Sequence, residues 1–257
     1  MRFMRVRAIL GLFLLIFNSW GCASLGVYNA ATGRREFIIV PTSEEVSMGK
    51  SMHGQVTGQY KLLDKDPRLA RVQRVGARVA QVSDRQDYEY HFYLLDSPEL
   101  NAFTTPGGNI YVLTGLLAKM QTDDELAAVL AHEIGHCAAR HTIKKFQGAV
   151  GYEILGTLLL SSIQVDSQVK KIASMGSDAL MQVVFSAYSR QDEMQADKLG
   201  VKYLDLSGYN PQGMVDTLEI LAREEKGGQA PLFLRTHPYL KDRVIAVKDQ
   251  IAHLPKG

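Results

Sequence analysis

The segment His132-Glu133-Ile134-Gly135-His136 has residue types and a spacing that can do chemistry. On a helix, two histidines four residues apart stand one turn above the other on a single face, so both imidazoles can reach one zinc ion. Glu133 is turned about 100° from His132. It flanks such a metal instead of binding it, where its carboxylate can take a proton from a water that the metal activates. The same short pattern also arises by chance on ordinary helices. Its surroundings favour the chemical reading: Thr122-Asp123-Asp124-Glu125 has the form of a capping box that starts a helix, and small residues such as Ala128 line the histidine face.

A catalytic zinc usually has three protein ligands and one open position. His141 follows His136 by five residues, with Cys137-Ala138-Ala139-Arg140 between them and no glycine to turn the chain back. If the helix continues, His141 points roughly 140° away from His136, so it is expected to be a structural or surface histidine. Glu193 is a better third ligand. It lies in Ser189-Arg190-Gln191-Asp192-Glu193-Met194-Gln195-Ala196-Asp197, a stretch that reads as helical, and it shares a face with Asp197. Glu193 could bind zinc while Asp197 accepts the proton of the second nitrogen of a ligand histidine, with His132 the first choice. An isolated pair of this spacing would more often be a solvated acidic face.

Taken together, HEIGHCAARH, SRQDEMQAD and Thr236-His237-Pro238, in that order, resemble metallopeptidase family forty-eight, the family of the HtpX, Oma and CAAX prenyl proteases. The resemblance runs from about Thr42 to the end of the chain. It implies zinc, one ion per chain, on His132, His136 and Glu193, with Glu133 as the catalytic base. It also implies an α+β, mainly helical, gluzincin-type zinc metallopeptidase domain with a small β-sheet beside the active-site helix. Asn101-Ala102-Phe103, ahead of Pro106-Gly107-Gly108 and Asn109 to Thr114, is similar to the family segment that offers a strand edge to an extended substrate; a plain hairpin is the equal alternative. In the resemblance, His237 lies near the metal, where it could stabilise an oxyanion or fill the open zinc position and hold the enzyme latent. Arg243 follows His237 by six residues and is read as a support for that segment.

The implied activity is zinc-dependent endopeptidase cleavage of polypeptide substrates, with misfolded envelope proteins as the expected class. The competing class is a zinc-containing latent or non-proteolytic periplasmic chaperone or assembly factor. The substrate, the cleavage preference and the oligomeric state are not legible in the sequence. With the sequence ending soon after Thr236-His237-Pro238, the tetratricopeptide domain of some periplasmic relatives is not expected.

The elements that must position these residues read as mostly helical. A helix is expected from Thr42 toward Leu63. Asp66-Pro67 gives a cap and a proline at the first helical position, followed by an apolar stripe at Leu69, Val72, Val75, Val79 and Val82. Alternation at Tyr88, Tyr90, Phe92 and Leu94 predicts a strand, and Asn109 to Thr114 a second. Leu126, Leu130, Ile134 and Cys137 form a stripe on the helix that carries the histidines. Residues 148–163 are the most apolar internal stretch, short for a membrane span and expected as a core helix or a lid over the cleft.

Residues 1–21 read as an export signal. Arg2, Arg5 and Arg7 precede the apolar run Ala8 to Phe17, and Ser19-Trp20-Gly21-Cys22 resembles a bacterial lipobox. Ser19 stands where leucine is usual and Trp20 is bulky, so ordinary cleavage near Ala23 and an uncleaved anchor stay open. The leading reading is lipidation of Cys22, a tether over 22–41 and a catalytic domain over 42–257, held in the bacterial periplasm. The residue after the cysteine, Ala23, is not the aspartate of inner-membrane retention and leans the expectation to the outer membrane. With Cys22 acylated, Cys137 is a lone thiol. The whole chain of 257 residues has formal charge +2, but the signal carries three arginines and no acid. Without it 26 basic residues face 27 acidic ones. Such a balance excludes a nucleic-acid binder as an expectation, and two cysteines exclude a disulfide scaffold.

Overall fold

A computed structural model describes residues 26–160, 177–225 and 231–255. The chain runs β1 (Val27–Asn29), β2 (Arg34–Glu36), α1 (Thr42–Gln59), β3 (Lys61–Leu62), α2 (Pro67–Ala80), β4 (His91–Asp96) and β5 (Ala102–Thr105). A short 3-10 turn at Pro106–Gly108 leads to β6 (Asn109–Leu113) and α3 (Thr114–Lys119). The rest is helical: α4 (Asp123–Ala138), α5 (His141–Leu160), α6 (Ser177–Phe185), α7 (Arg190–Ser207), α8 (Gln212–Glu225), α9 (Leu232–Thr236) and α10 (Leu240–Ala252). The fold is mainly helical with a small sheet beside α4, as expected.

Local chemistry sets the boundaries. The Asp66 side chain accepts from the Arg68 amide, and Pro67 opens α2, whose Val72, Val75 and Val79 are fully buried. At α4 the Thr122 hydroxyl accepts from the Glu125 amide while Glu125 reaches back to the Thr122 amide. Ser189 and Asp192 form the same reciprocal cap on α7, and Gly208 ends that helix in the left-handed conformation.

The main sheet has the order β3-β4-β6-β5, with β4 and β6 parallel and the outer pairs antiparallel. The first β4–β6 pair is His91 with Asn109. Tyr88 and Tyr90 therefore precede the strand expected to contain them, and Tyr88 lies instead under the Arg85 guanidinium. Likewise α1 stops at Gln59, because Tyr60 is extended and Lys61 and Leu62 pair with Asp96 and Leu95. β5 is an edge strand against α4.

Helix α4 is buried along nearly its whole length, from Leu126 to Ala138. A helix apolar all round is one that other elements surround, and α2, α7, α8 and β5 do so here. Its closest neighbour is α7. A Cβ on Gly135 would meet the Ala196 carbonyl oxygen at 2.7 Å, so glycine at this place within the histidine motif lets the two helix backbones approach. That approach brings Glu193 and Asp197 to the histidines.

In the 22–41 segment, β1 and β2 form a hairpin. The following chain is clamped to α5: Gln147 accepts from the amides of Ile39 and Val40 and donates to the Phe37 carbonyl. The 148–163 stretch is helical through Leu160, and its last three residues lie outside the described ones. Among the described residues no helix is long and apolar enough to cross a membrane. Cys22 and the signal also lie outside the described residues.

Candidate metal centre

Four side chains from three elements converge. His132 and His136 come from α4, Glu193 from the first turn of α7, and His237 from the turn after α9. One donor atom of each lies within 4.8 Å of all the others. The His132 Nε2 is 3.1 Å from His136 Nε2 and 3.2 Å from His237 Nδ1. Glu193 Oε1 lies 3.0 Å from His237 Nδ1 and 3.4 Å from His136 Nε2.

This donor set fits a zinc ion. Three imidazole nitrogens with lone pairs and one carboxylate oxygen point at a common place, and one proton could bridge only a single pair of them, whereas one cation satisfies all four. Burial holds the His136 pKa well below the ordinary histidine value, so its ring is neutral and has a lone pair to offer. For Glu193, burial opposes ionisation, but Arg243, His237 and His136 outweigh it and hold the carboxyl well below the usual range.

A second layer fixes these groups. Asp197 Oδ1 accepts from His132 Nδ1 at 2.8 Å. Arg243, from α10, donates from Nε to Asp197 Oδ2 at 2.7 Å and from Nη2 to Oδ1 at 2.8 Å, and its Nη1 pairs with Glu193 Oε2 at 2.6 Å. It is 1% exposed. Two carboxylates buried around one guanidinium cancel much of the cost of burying each. Sequence reasoning gave this arginine little weight; its spacing of six from His237 was the one available signal.

His141 differs from the expectation in its geometry. Helix α4 ends at Ala138 and Arg140 takes a left-handed conformation at φ 56°. The turn starts α5 and aims His141 back, so its Nδ1 lies 2.9 Å from His136 Nδ1. Its Nε2 meets Gln195 Oε1 at 2.9 Å. His141 is thus buried and structural, not on the surface, and it stands behind a donor instead of among the donors. The Arg140 turn is held by Glu45, which also takes a two-pronged ion pair from Arg85.

Glu133 is fully buried, and neither carboxylate oxygen has a hydrogen-bond partner among the described residues. His237 Nε2 stands 3.5 Å from its Oε1. Burial raises the Glu133 pKa above the usual carboxyl value, the direction that suits a group that must take up and release a proton. The candidate substrate residues lie at the start of β5, which packs on α4. Asn101 is fully buried with both amide atoms unpartnered among the described residues. Its carbonyl accepts from the Leu113 amide, so by alternation the backbone groups of Ala102 and Thr104 turn to the outer side of β5. Phe103 stacks on Tyr111 within the fold. Thr104 Oγ1 contacts Cys137 Sγ at 2.8 Å, which ties β5 to the end of α4.

The sequence model of Peptidase family M48 matches residues 67–251, which include every member of this cluster. The chain belongs to peptidase family M48. Among its relatives is the Beta-barrel assembly-enhancing protease of Escherichia coli K12, 29% identical over 217 residues, covering 80% of this chain and 44% of that protein. The mitochondrial metalloendopeptidase OMA1 of Schizosaccharomyces pombe is 28% identical over 227 residues, covering 86% and 65%. The Arabidopsis thaliana protein of the same name is 32% identical over 165 residues, covering 64% and 32%. The chain thus spans less than two thirds of the length of these curated relatives.

Proposed function

We propose that this chain is a zinc-dependent metalloendopeptidase of the bacterial envelope. The observation that carries the reading is the convergence of His132, His136 and Glu193 around one point, with the unpartnered carboxylate of Glu133 beside it. Zinc held there supplies a Lewis acid that makes water acidic and polarises a peptide carbonyl. Glu133 takes the proton of the attacking water and passes it to the leaving amine. Asp197 holds the His132 ring in the tautomer that leaves Nε2 free. The Asn101 amide and the outer backbone groups of Ala102 and Thr104 would take the peptide as an added strand. This recognition asks little of substrate sequence and suits misfolded polypeptides.

His237 supports a closed resting form. His132, Glu133, His136, Glu193 and His237 are each 0–1% exposed, and His237 takes the fourth donor place. A peptide carbonyl needs that place, so we assign His237 to a latent state that substrate entry must displace. The competing reading, a chaperone or assembly factor that never cleaves, rests on the same closure. Names of the bacterial relatives point to β-barrel assembly as the setting, which favours the periplasm; outer-membrane attachment through lipid on Cys22 rests on the lipobox resemblance. The test incubates zinc-loaded protein with unfolded casein, with and without a chelator. Chelator-sensitive cleavage supports the peptidase. Suppressed aggregation without cleavage supports the chaperone and rejects the peptidase.

A further inference from the structure

Among the described residues seven large apolar side chains are strongly exposed, and four of them, Val27, Tyr28, Phe37 and Ile39, fall within the hairpin segment. Phe37 is 70% and Ile39 63% exposed. Tyr28 pairs across the hairpin with Arg35. From Arg35 onward the chain alternates: Phe37 and Ile39 point out, whereas Glu36 and Ile38 point in. Inward, Glu36 pairs with Lys144. The outer face therefore gathers Tyr28, Arg35, Phe37 and Ile39, whereas Arg34 pairs with Glu36 on the other face at 3.2 Å. Its backbone is held by the three Gln147 hydrogen bonds, so these side chains are displayed on a fixed support. A cluster of this kind on a soluble surface marks a contact site.

We propose that this face lies in the headgroup layer of an anionic phospholipid bilayer and sets the orientation of the peptidase domain on it. The inference rests on the reading that lipid on Cys22 anchors the chain. Val27 lies five positions after Cys22, a reach of at most about 18 Å when extended, so an anchor at Cys22 holds the hairpin at the membrane surface. Aromatic and aliphatic side chains beside arginine are the composition of an interfacial contact, and Arg35 on that face complements anionic headgroups. The acyl chains supply the attachment; the hairpin fixes which way the domain faces. Phe37, Arg34 and Arg35 also border a groove of about 710 Å³ that continues to Gln191, Asp192 and Gln195 at the start of α7, so this orientation presents the groove beside the bilayer.

The test uses full-length chain, isolated with its native N-terminus and reconstituted into vesicles of phosphatidylethanolamine and phosphatidylglycerol. Phe37→Cys and Ile39→Cys are labelled with an environment-sensitive fluorophore, with Ile245→Cys on α10, an equally exposed site, as the reference. Cys137 is buried and stays unlabelled. Headgroup-level nitroxide lipid should quench the labels at 37 and 39 severalfold more than the label at 245. Equal quenching at all three sites overturns the proposal. Shielding of positions 37 and 39 only on adding unfolded polypeptide, or only as protein density rises, also overturns it, in favour of a substrate or a second copy. Label uptake by the otherwise unmutated chain reports a free Cys22 thiol, and so separates failure of the anchor from failure of the hairpin contact.

Discussion

The Nδ1 atoms of His136 and His141 lie 2.9 Å apart, and the surroundings decide which one carries the hydrogen. His141 Nε2 faces two acceptors, Gln195 Oε1 at 2.9 Å and Asp192 Oδ1 at 3.5 Å, so its hydrogen sits there. Burial lowers the His141 pKa to about 4, so the ring is neutral and its Nδ1 accepts. His136 Nδ1 must then donate, which leaves His136 Nε2 with a free lone pair facing Glu193 and His132. The two histidines of the motif are oriented by different means: His132 by a carboxylate clamped by Arg243, His136 by a neutral imidazole.

Replacing His141 with phenylalanine should therefore lower zinc affinity by roughly 10- to 100-fold, the usual cost of losing such an outer partner. His141→Asn, which keeps an acceptor, should recover part of it, and Glu193→Ala should lose more than either. Competition with a chromophoric chelator measures all three. Wild-type affinity in the phenylalanine variant would reject the orienting role.

Arg243→Ala leaves Asp197 and Glu193 buried without their cation. Breaking a buried pair in this way costs about 3–5 kcal/mol. Urea unfolding of the metal-free protein reads the loss directly. A change below about 1 kcal/mol, the range of exposed pairs, would mean that water reaches the cluster.

Gly135→Ala should force α4 and α7 apart, because the new methyl group meets the Ala196 carbonyl at 2.7 Å. Overpacking of this kind costs about 1–3 kcal/mol, and the shift moves Glu193 away from the histidines. Both thermal stability and zinc affinity should fall. A variant that keeps its zinc affinity would show that the interface yields without moving Glu193.

Cys137 should be inert in the native protein. Burial pushes its thiol pKa up to about 12, and the hydrogen bond with Thr104 offsets only part of that. The thiolate is the reactive form, so an alkylating reagent near neutral pH should label Cys137 only after unfolding. Rapid labelling of the folded chain would contradict the packing of β5 on α4.

The sequence was most legible where chemistry and local geometry coincide. The His132–His136 spacing, the Thr122 capping box and the proline after Asp66 each act within a few residues, and each appears in the structure where expected. Glu193 and Asp197, four residues apart on one face of α7, both reach the histidines of α4. Arg243 was nearly missed because its partners lie 46 and 50 positions earlier in the chain, and a lone arginine has no local pattern. His141 is structural, one of the two places expected for it, but its return onto His136 is not legible, because nothing before it announces the left-handed turn at Arg140, which Glu45 holds from a distant helix. The strand at Tyr88 began too early because pairing depends on where β6 starts.

The central claim is that Glu133 activates water for peptide hydrolysis at a metal held by His132, His136 and Glu193. The most direct measurement compares casein cleavage by the zinc-loaded wild type with that by Glu133→Gln, alongside the metal content of both. The account predicts equal zinc in the two proteins, with cleavage by the wild type and none by the variant. Cleavage by Glu133→Gln near the wild-type rate would contradict it.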